Sequence, residues 1–143
     1  MNYKSQCLKV IEYCNKQKIK VILNDVTEDC CYPHVKLIYI STNQTWQNRL
    51  YTLLHEIGHM KVYKKRKEWL DYFSCYACDE TDGRKMRSIS YQVSLVAEEI
   101  EAWKIGKKLG KKLGVHIDKN KYNAIMNKCI MSYISSAKDA VYV

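Results

Sequence analysis

The chain has 143 residues, 47% of them hydrophobic, so it can bury one core but is short for two domains. It has no secretory signal and no apolar run near the roughly 18 residues that a membrane span needs. These features argue against an exported or membrane-spanning protein. We expect a single domain over residues 1–143 in the cytoplasm, with a formal net charge of +9.

An amphipathic helix is predicted at the start of the chain, over residues 3–17. Leu8 and Ile11 fall on its apolar face, and Cys7 and Cys14 are further inward candidates. A free cysteine in such a position behaves as a small hydrophobic residue. We therefore expect this helix to pack on the core through that face.

Two strands are predicted next, at residues 19–24 and 35–41. Two strands are too few for an independent sheet, so we expect a third in residues 26–32 or 69–76. Helices are predicted after them. This order predicts an α+β fold, mostly helical, with a small sheet before the helix at residues 44–64.

The helix predicted over residues 44–64 carries the motif His-Glu-Ile-Gly-His. Residues four apart lie one turn above another on a helix, so His55 and His59 can both face one Zn²⁺. Glu56 stands between them, where a carboxylate can take the proton of a metal-bound water as general base. The motif therefore predicts a zinc hydrolase.

An apolar stripe runs along the same helix, formed by Trp46, Leu50, Leu53 and Ile57. Its spacing of four, three and four predicts the face that packs on the core. The motif histidines fall on the other side, so the alternative is that they are solvent-facing residues of an ordinary amphipathic helix. The zinc hypothesis is favoured, because exposed histidines have no reason to be spaced around a glutamate.

A catalytic zinc site needs a third protein ligand. The helix predicted over residues 86–113 has an apolar stripe formed by Ile89, Val93, Val96, Ile100 and Trp103. Glu99 lies at the margin of that stripe, where a carboxylate is costly unless it binds something, whereas Glu98 and Glu101 can be solvated. Glu99 is thus the predicted ligand, and His116, in a predicted loop, is the rival.

The two motif-bearing helices together resemble the ImmA/IrrE family of metallopeptidases, common in bacteria, mobile elements and phages. The resemblance rests on HEIGH preceded by Arg-Leu-Tyr-Thr-Leu-Leu, and on the Glu-x-x-Ala-Trp pattern that begins at Glu99. It covers about residues 19–135, including the strand at 35–40, the Leu-Gly-Val-His-Ile-Asp run and the segment 129–133. The chain departs from the family at Ile105-Gly106, where Phe-Ala is usual, and that difference concerns packing.

The resemblance implies a minimal zincin-like metallopeptidase domain of the phage or mobile-element type. In it, His55, His59 and Glu99 would bind zinc and Glu56 would be the general base. Such family members cleave DNA-bound transcriptional repressors. We therefore expect a limited cut in a protein substrate, a helix-turn-helix repressor, rather than digestion of peptides in bulk.

Seven cysteines, an odd number in a chain with no export signal, argue against a disulfide framework. Three fall within helical patterns and are predicted to be small buried hydrophobic residues: Cys7, Cys14 and Cys129. Cys75 and Cys78 have the spacing of paired metal ligands, and Cys30-Cys31 could add to them. A second, structural zinc is therefore an open hypothesis.

Basic residues are concentrated towards the C-terminal end of each of the two motif-bearing helices: Lys61, Lys64, Lys65, Arg66 and Lys67, then Lys104, Lys107, Lys108, Lys111 and Lys112. Cations are favoured at helix C-terminal ends, which gives a structural explanation. The alternative is weak, non-specific contact with nucleic acid, or with an acidic face of a DNA-bound substrate.

The segment up to about residue 84 is predicted to be irregular, and a last helix is predicted over residues 119–136. Aromatic residues 69–73, with Tyr76, could form a wall or lid of the cleft, although a core plug is favoured. An oxyanion-stabilising group besides the metal is expected, with Tyr51, His34, His116 or another tyrosine as candidates.

Two further functions stay open. One is a regulatory protein that uses zinc as a structural element without catalysis. The other is a basic nucleic-acid-binding domain in which the HExxH motif is accidental. Glu56 distinguishes the peptidase from the first alternative, because a structural zinc does not need a base beside it.

Overall fold

The computed structural model describes residues 1–25, 28–72 and 82–142. Its elements in chain order are α1 (Tyr3–Lys16), β1 (Lys20–Asn24), β2 (Cys30–Tyr32), a 3₁₀ turn (Pro33–Val35), β3 (Leu37–Ser41), α2 (Trp46–Lys64), α3 (Arg66–Tyr72), α4 (Gly83–Met86), α5 (Ile89–Lys112) and α6 (Lys119–Tyr142). The prediction of a mostly helical α+β chain with a small sheet before the motif helix is confirmed. Within these ranges, no helix is long and apolar enough to cross a membrane.

The sheet has the order β1-β3-β2. β1 runs parallel to β3, whereas β2 is antiparallel to β3, with Cys31 paired to Ile38. The predicted third strand therefore lies in the first of the two proposed segments. In the other segment, residues 69–72 are helical and belong to α3. The buried side chains of Ile38 and Ile40 lie on one face of β3 and join the core.

α2 is the central element of the fold. Its first turn is capped by Thr45, whose side chain accepts a hydrogen bond from the backbone N–H of Asn48. The predicted core stripe is confirmed at Leu50, Leu53 and Ile57, which are all buried. α1 and the sheet pack on α2, and so does α5. Because these elements cover α2 on more than one side, its motif histidines are not solvent-facing, and that alternative is wrong.

Two glycines allow α2 and α5 to approach closely. A Cβ added at Gly58 would lie 2.6 Å from the backbone carbonyl carbon of Ala102. On the other helix, a Cβ added at Gly106 would lie 2.7 Å from the carbonyl carbon of Leu54. Such contacts are too short for a side chain, so glycine is required at both crossings. The close approach places the motif of α2 against the glutamates of α5.

The predicted core stripe of α5 is wrong in its first half. Ile89 is 64% exposed and Val93 is 52% exposed. The buried residues of this half are instead Tyr91 and Ser94, on a different face of the helix. The reason is tertiary: α2 packs against the face that carries Glu99, and this leaves an apolar groove between α5 and the end of α6.

Four smaller expectations also need correction. Leu8 of α1 is 48% exposed, while Cys7 and Cys14 are buried as expected. The segment predicted to be irregular contains the short helices α3 and α4, and α6 continues to Tyr142. Tyr72 is 84% exposed and therefore is not a core plug. Four residues singled out from the sequence lie outside the described residues: Phe73, Cys75, Tyr76 and Cys78.

Candidate metal centre

Three side chains predicted as metal ligands meet where α2 crosses α5. One ligand atom from each of His55, His59 and Glu99 lies within 4.8 Å of the others. Nε2 of His55 is 2.8 Å from Oε1 of Glu99, and Nε2 of His59 is 3.2 Å from Oε2. Glu99 is only 1% exposed. This buried group of two imidazoles and a carboxylate could bind a metal ion.

Two buried polar atoms of this cluster lack hydrogen bonds, as expected for atoms whose partner is a metal ion. Among the described residues, the buried side-chain atoms without a hydrogen-bond partner are Nε2 of His55 and Oε2 of Glu99. The short distance from His55 to Glu99 is therefore not that of an aligned hydrogen bond. Leaving such polar atoms unpaired in a protein interior is costly. A metal ion placed among them would satisfy both, so these residues fit the predicted group.

Glu98 orients the second histidine. Its Oε1 lies 3.0 Å from Nδ1 of His59, so the N–H on this nitrogen can be donated to the carboxylate. When the ring is neutral, its Nε2 faces Glu99 without a proton. A carboxylate behind a metal-binding histidine fixes its tautomer and raises its basicity. The expectation that Glu98 is simply solvated is thus wrong.

The two oxygens of Glu99 have different surroundings. Oε1 accepts hydrogen bonds from Nε1 of Trp103 and from Sγ of Cys129, each at 3.0 Å. Burial, together with the adjacent Glu99 carboxylate, raises the pKa of the Cys129 thiol to about 12, so the thiol keeps its proton. Cys129 is half-buried and hydrogen-bonded, rather than the plain buried hydrophobic residue predicted.

The carboxylate of Glu56 is buried beside the first histidine. Its Oε1 lies 3.4 Å from Nδ1 of His55. Glu56 also lines a cavity of about 770 Å³ together with the three candidate ligands. The other walls of this cavity come from the sheet edge at Cys30 and Cys31 and from α6. Its volume is in the usual range of ligand-binding pockets.

The histidines and glutamates of the cluster shift one another's pKa values. Burial alone would lower the pKa of His59, but its contacts with Glu98 and Glu99 prevail and raise this pKa to about 10. Burial alone would raise the pKa of Glu99, but the two imidazoles hold it well below the usual carboxyl range. The pKa of His55 is also raised, because Glu56 and Glu99 outweigh its burial. The site without metal therefore holds protons that a metal ion would displace.

The residues proposed from the sequence as a rival ligand or as oxyanion-stabilising groups do not belong to the metal cluster. His116 is exposed, and its backbone N–H donates to Gln6, so it is not part of the cluster. Tyr51 is buried in the core, and its hydroxyl accepts from the N–H of Asp118. His34 is exposed in the 3₁₀ turn, and the tyrosines that line the cavity are Tyr63 and Tyr133.

Glu101 and the aromatic residues Trp69 and Tyr72 line a separate cleft of about 410 Å³. These aromatic residues therefore do not form a wall of the metal cavity. The basic clusters lie only in part at helix C-terminal ends: Lys61 and Lys64 are in the last turn of α2, whereas Arg66 and Lys67 begin α3. Lys111 and Lys112 occupy the same position in α5. An electrostatic partner for these clusters stays a prediction.

Sequence reasoning missed Glu98, Trp103 and Cys129 as parts of the site. A signal existed for Trp103, which follows Glu99 by four residues and therefore lies on the same side of α5. No such signal existed for Cys129, because its contact depends on how α6 packs against α5.

Searches against protein-family models, characterised proteins and solved structures found no match to this chain.

Proposed function

We propose that this chain is a zinc-dependent endopeptidase that makes a limited cut in a protein substrate. The observation that supports the proposal is the cluster of His55, His59 and Glu99, in which one ligand atom from each residue lies within 4.8 Å of the others. A general base candidate, Glu56, lies beside them in a cavity that is open to solvent. Together these features are those of a catalytic metal site with room for a substrate.

Zinc is the metal we propose, because two imidazoles and one carboxylate form one of its ordinary catalytic ligand sets. When bound, Zn²⁺ polarises a carbonyl group and lowers the pKa of water towards about 7. The protein contributes the ligand geometry: Glu98 fixes the tautomer of His59, and burial excludes competing water from Glu99.

Glu56 is the proposed general base. Its carboxylate lies on the cavity wall, so it would accept a proton from the attacking water and deliver it to the leaving amine nitrogen. The contact with His55 at 3.4 Å restricts where this carboxylate can point. Its position beside the ligands supports hydrolysis over a purely structural metal site, which needs no base.

The sheet edge supports a polypeptide as the substrate. β2 is an edge strand of the described sheet and borders the cavity through Cys30 and Cys31. An exposed strand edge can hydrogen-bond an extended peptide and guide its scissile bond into the adjacent cavity. By its resemblance to the ImmA/IrrE family, we propose a zincin-like domain that acts in the cytoplasm on a helix-turn-helix repressor.

The proposal can be tested with matched glutamate variants. Purified wild-type protein loaded with zinc is incubated with a candidate helix-turn-helix repressor, and products are identified by mass spectrometry. We expect one or few cuts by wild type and by Glu101→Gln, and loss of at least about 10²-fold in rate for Glu56→Gln. Equal cleavage by Glu56→Gln and wild type would remove Glu56 as the base. No cleavage by any form would leave this substrate assignment without support.

A further inference from the structure

The carboxylate of Glu99 is held at one of its two oxygens. Oε1 accepts hydrogen bonds from Nε1 of Trp103 and Sγ of Cys129, both at 3.0 Å. Oε1 also lies 2.8 Å from Nε2 of His55, but without a hydrogen bond between them. Oε2 has no hydrogen-bond partner in the described part of the chain and lies 3.2 Å from Nε2 of His59. We propose that Trp103 and Cys129 are positioning residues that occupy Oε1, so that Glu99 offers a metal ion Oε2 alone.

The two donors are themselves fixed by other elements. The indole of Trp103 stacks on the imidazole of His55, and its backbone carbonyl accepts a hydrogen bond of 2.7 Å from the hydroxyl of Tyr122. Cys129 belongs to α6 and donates its hydrogen bond to Glu99 on α5, and both residues line the cavity. The Glu99 carboxylate is thus tied to α5 and α6 and cannot turn without breaking a buried hydrogen bond, which is costly.

This arrangement rests on the proposed metal site and adds a specific consequence to it. A carboxylate with two free oxygens can bind a cation through both of them. A carboxylate that binds through one oxygen leaves a coordination position for water and substrate, which hydrolysis requires. Cys129 and Trp103 would therefore keep the metal reactive without contacting substrate themselves.

The test compares Cys129→Ala with Cys129→Ser, whose hydroxyl can replace the donated hydrogen bond. Ser132→Ala is the matched control, because Ser132 lines the same cavity one turn further along α6 and donates to the backbone carbonyl of Cys129. Zinc affinity is measured by competition with a chromogenic chelator, and urea unfolding of the metal-free proteins reports any loss of fold. Visible absorption of each protein loaded with Co²⁺ reports the ligands around the metal.

We expect Cys129→Ala to bind zinc roughly tenfold more weakly than wild type, with an altered Co²⁺ spectrum. Cys129→Ser should recover most of the affinity and the wild-type spectrum, and Ser132→Ala should match wild type. Equal affinity and spectrum for Cys129→Ala and wild type would overturn the inference while leaving the metal site intact. Failure of Cys129→Ser to recover either property would also overturn it. A wild-type protein that binds no zinc would instead defeat the proposed function itself.

Discussion

The indole ring of Trp103 lies parallel to the imidazole ring of His55, with ring centroids 4.1 Å apart and planes 9° from parallel. The same indole donates a hydrogen bond to Oε1 of Glu99, one turn earlier on its own helix. One side chain therefore contacts a candidate ligand on each of the two helices that build the site. This relationship couples the packing of α2 against α5 to the geometry of the cluster.

Removal of the carboxylate behind His59 should weaken metal binding without abolishing it. In Glu98→Ala, Nδ1 of His59 loses its acceptor at 3.0 Å, so the ring can rotate and change tautomer. We expect zinc affinity to fall by about 10 to 100-fold, as measured by chelator competition. Glu101→Ala, which lies outside the metal cavity, is the control and should bind like wild type. An unchanged affinity in Glu98→Ala would mean that the contact does not orient the ligand.

The close crossing of α2 and α5 predicts a strong effect of a single methyl group. In Gly58→Ala, the new Cβ would collide with the backbone of Ala102, so the helices must separate. We expect a loss of about 1–3 kcal/mol in the free energy of unfolding, measured by urea titration. Zinc affinity should fall as well, because His59 moves away from Glu99.

Gly83→Ala is the control for the crossing, since among the described residues its Cβ would meet only the guanidinium end of the flexible Arg87 side chain, at 3.3 Å. This variant should be close to wild type in both stability and zinc binding. If Gly58→Ala were as stable as Gly83→Ala and bound zinc equally well, the crossing would not be set by glycine.

The charge state of the cluster predicts how stability depends on pH. The pKa of His59 is raised to about 10 in the metal-free fold, against about 6.5 for an unfolded chain. Its protonated form therefore stabilises the metal-free protein fully below pH 6.5, and this contribution is lost as the pH rises through about 10. We expect urea unfolding of the EDTA-treated protein to show falling stability across that window.

Zinc binding should be coupled to the release of the proton that His59 carries in the metal-free protein. A zinc ion must displace the proton of His59, so uptake near pH 7 should release protons. Calorimetric titrations in buffers of different ionisation enthalpy measure that release. A binding heat independent of the buffer would contradict the assigned protonation, and so would a metal-free protein whose stability did not fall above pH 6.5.

The sequence predicted the helices and the ligand positions on them better than it predicted the contacts between helices. The HExxH spacing places His55 and His59 on one side of α2 by helix geometry alone, and the burial of Glu99 followed from its place beside an apolar stripe. The stripe itself failed at Ile89 and Val93, because periodicity identifies an apolar face but not the element that covers it. The contacts of Glu98 and Cys129 depend on the packing of α5 against α2 and α6, which no local pattern encodes.

The most direct test of the account is the zinc content of purified wild type, His59→Ala and Glu99→Ala, measured side by side by elemental analysis. We predict about one zinc per wild-type chain, and loss of most of it in both variants, because each variant removes one of the three proposed protein ligands. Zinc retained at wild-type levels in both variants would contradict it, since the metal would then be bound by other residues, such as the cysteines.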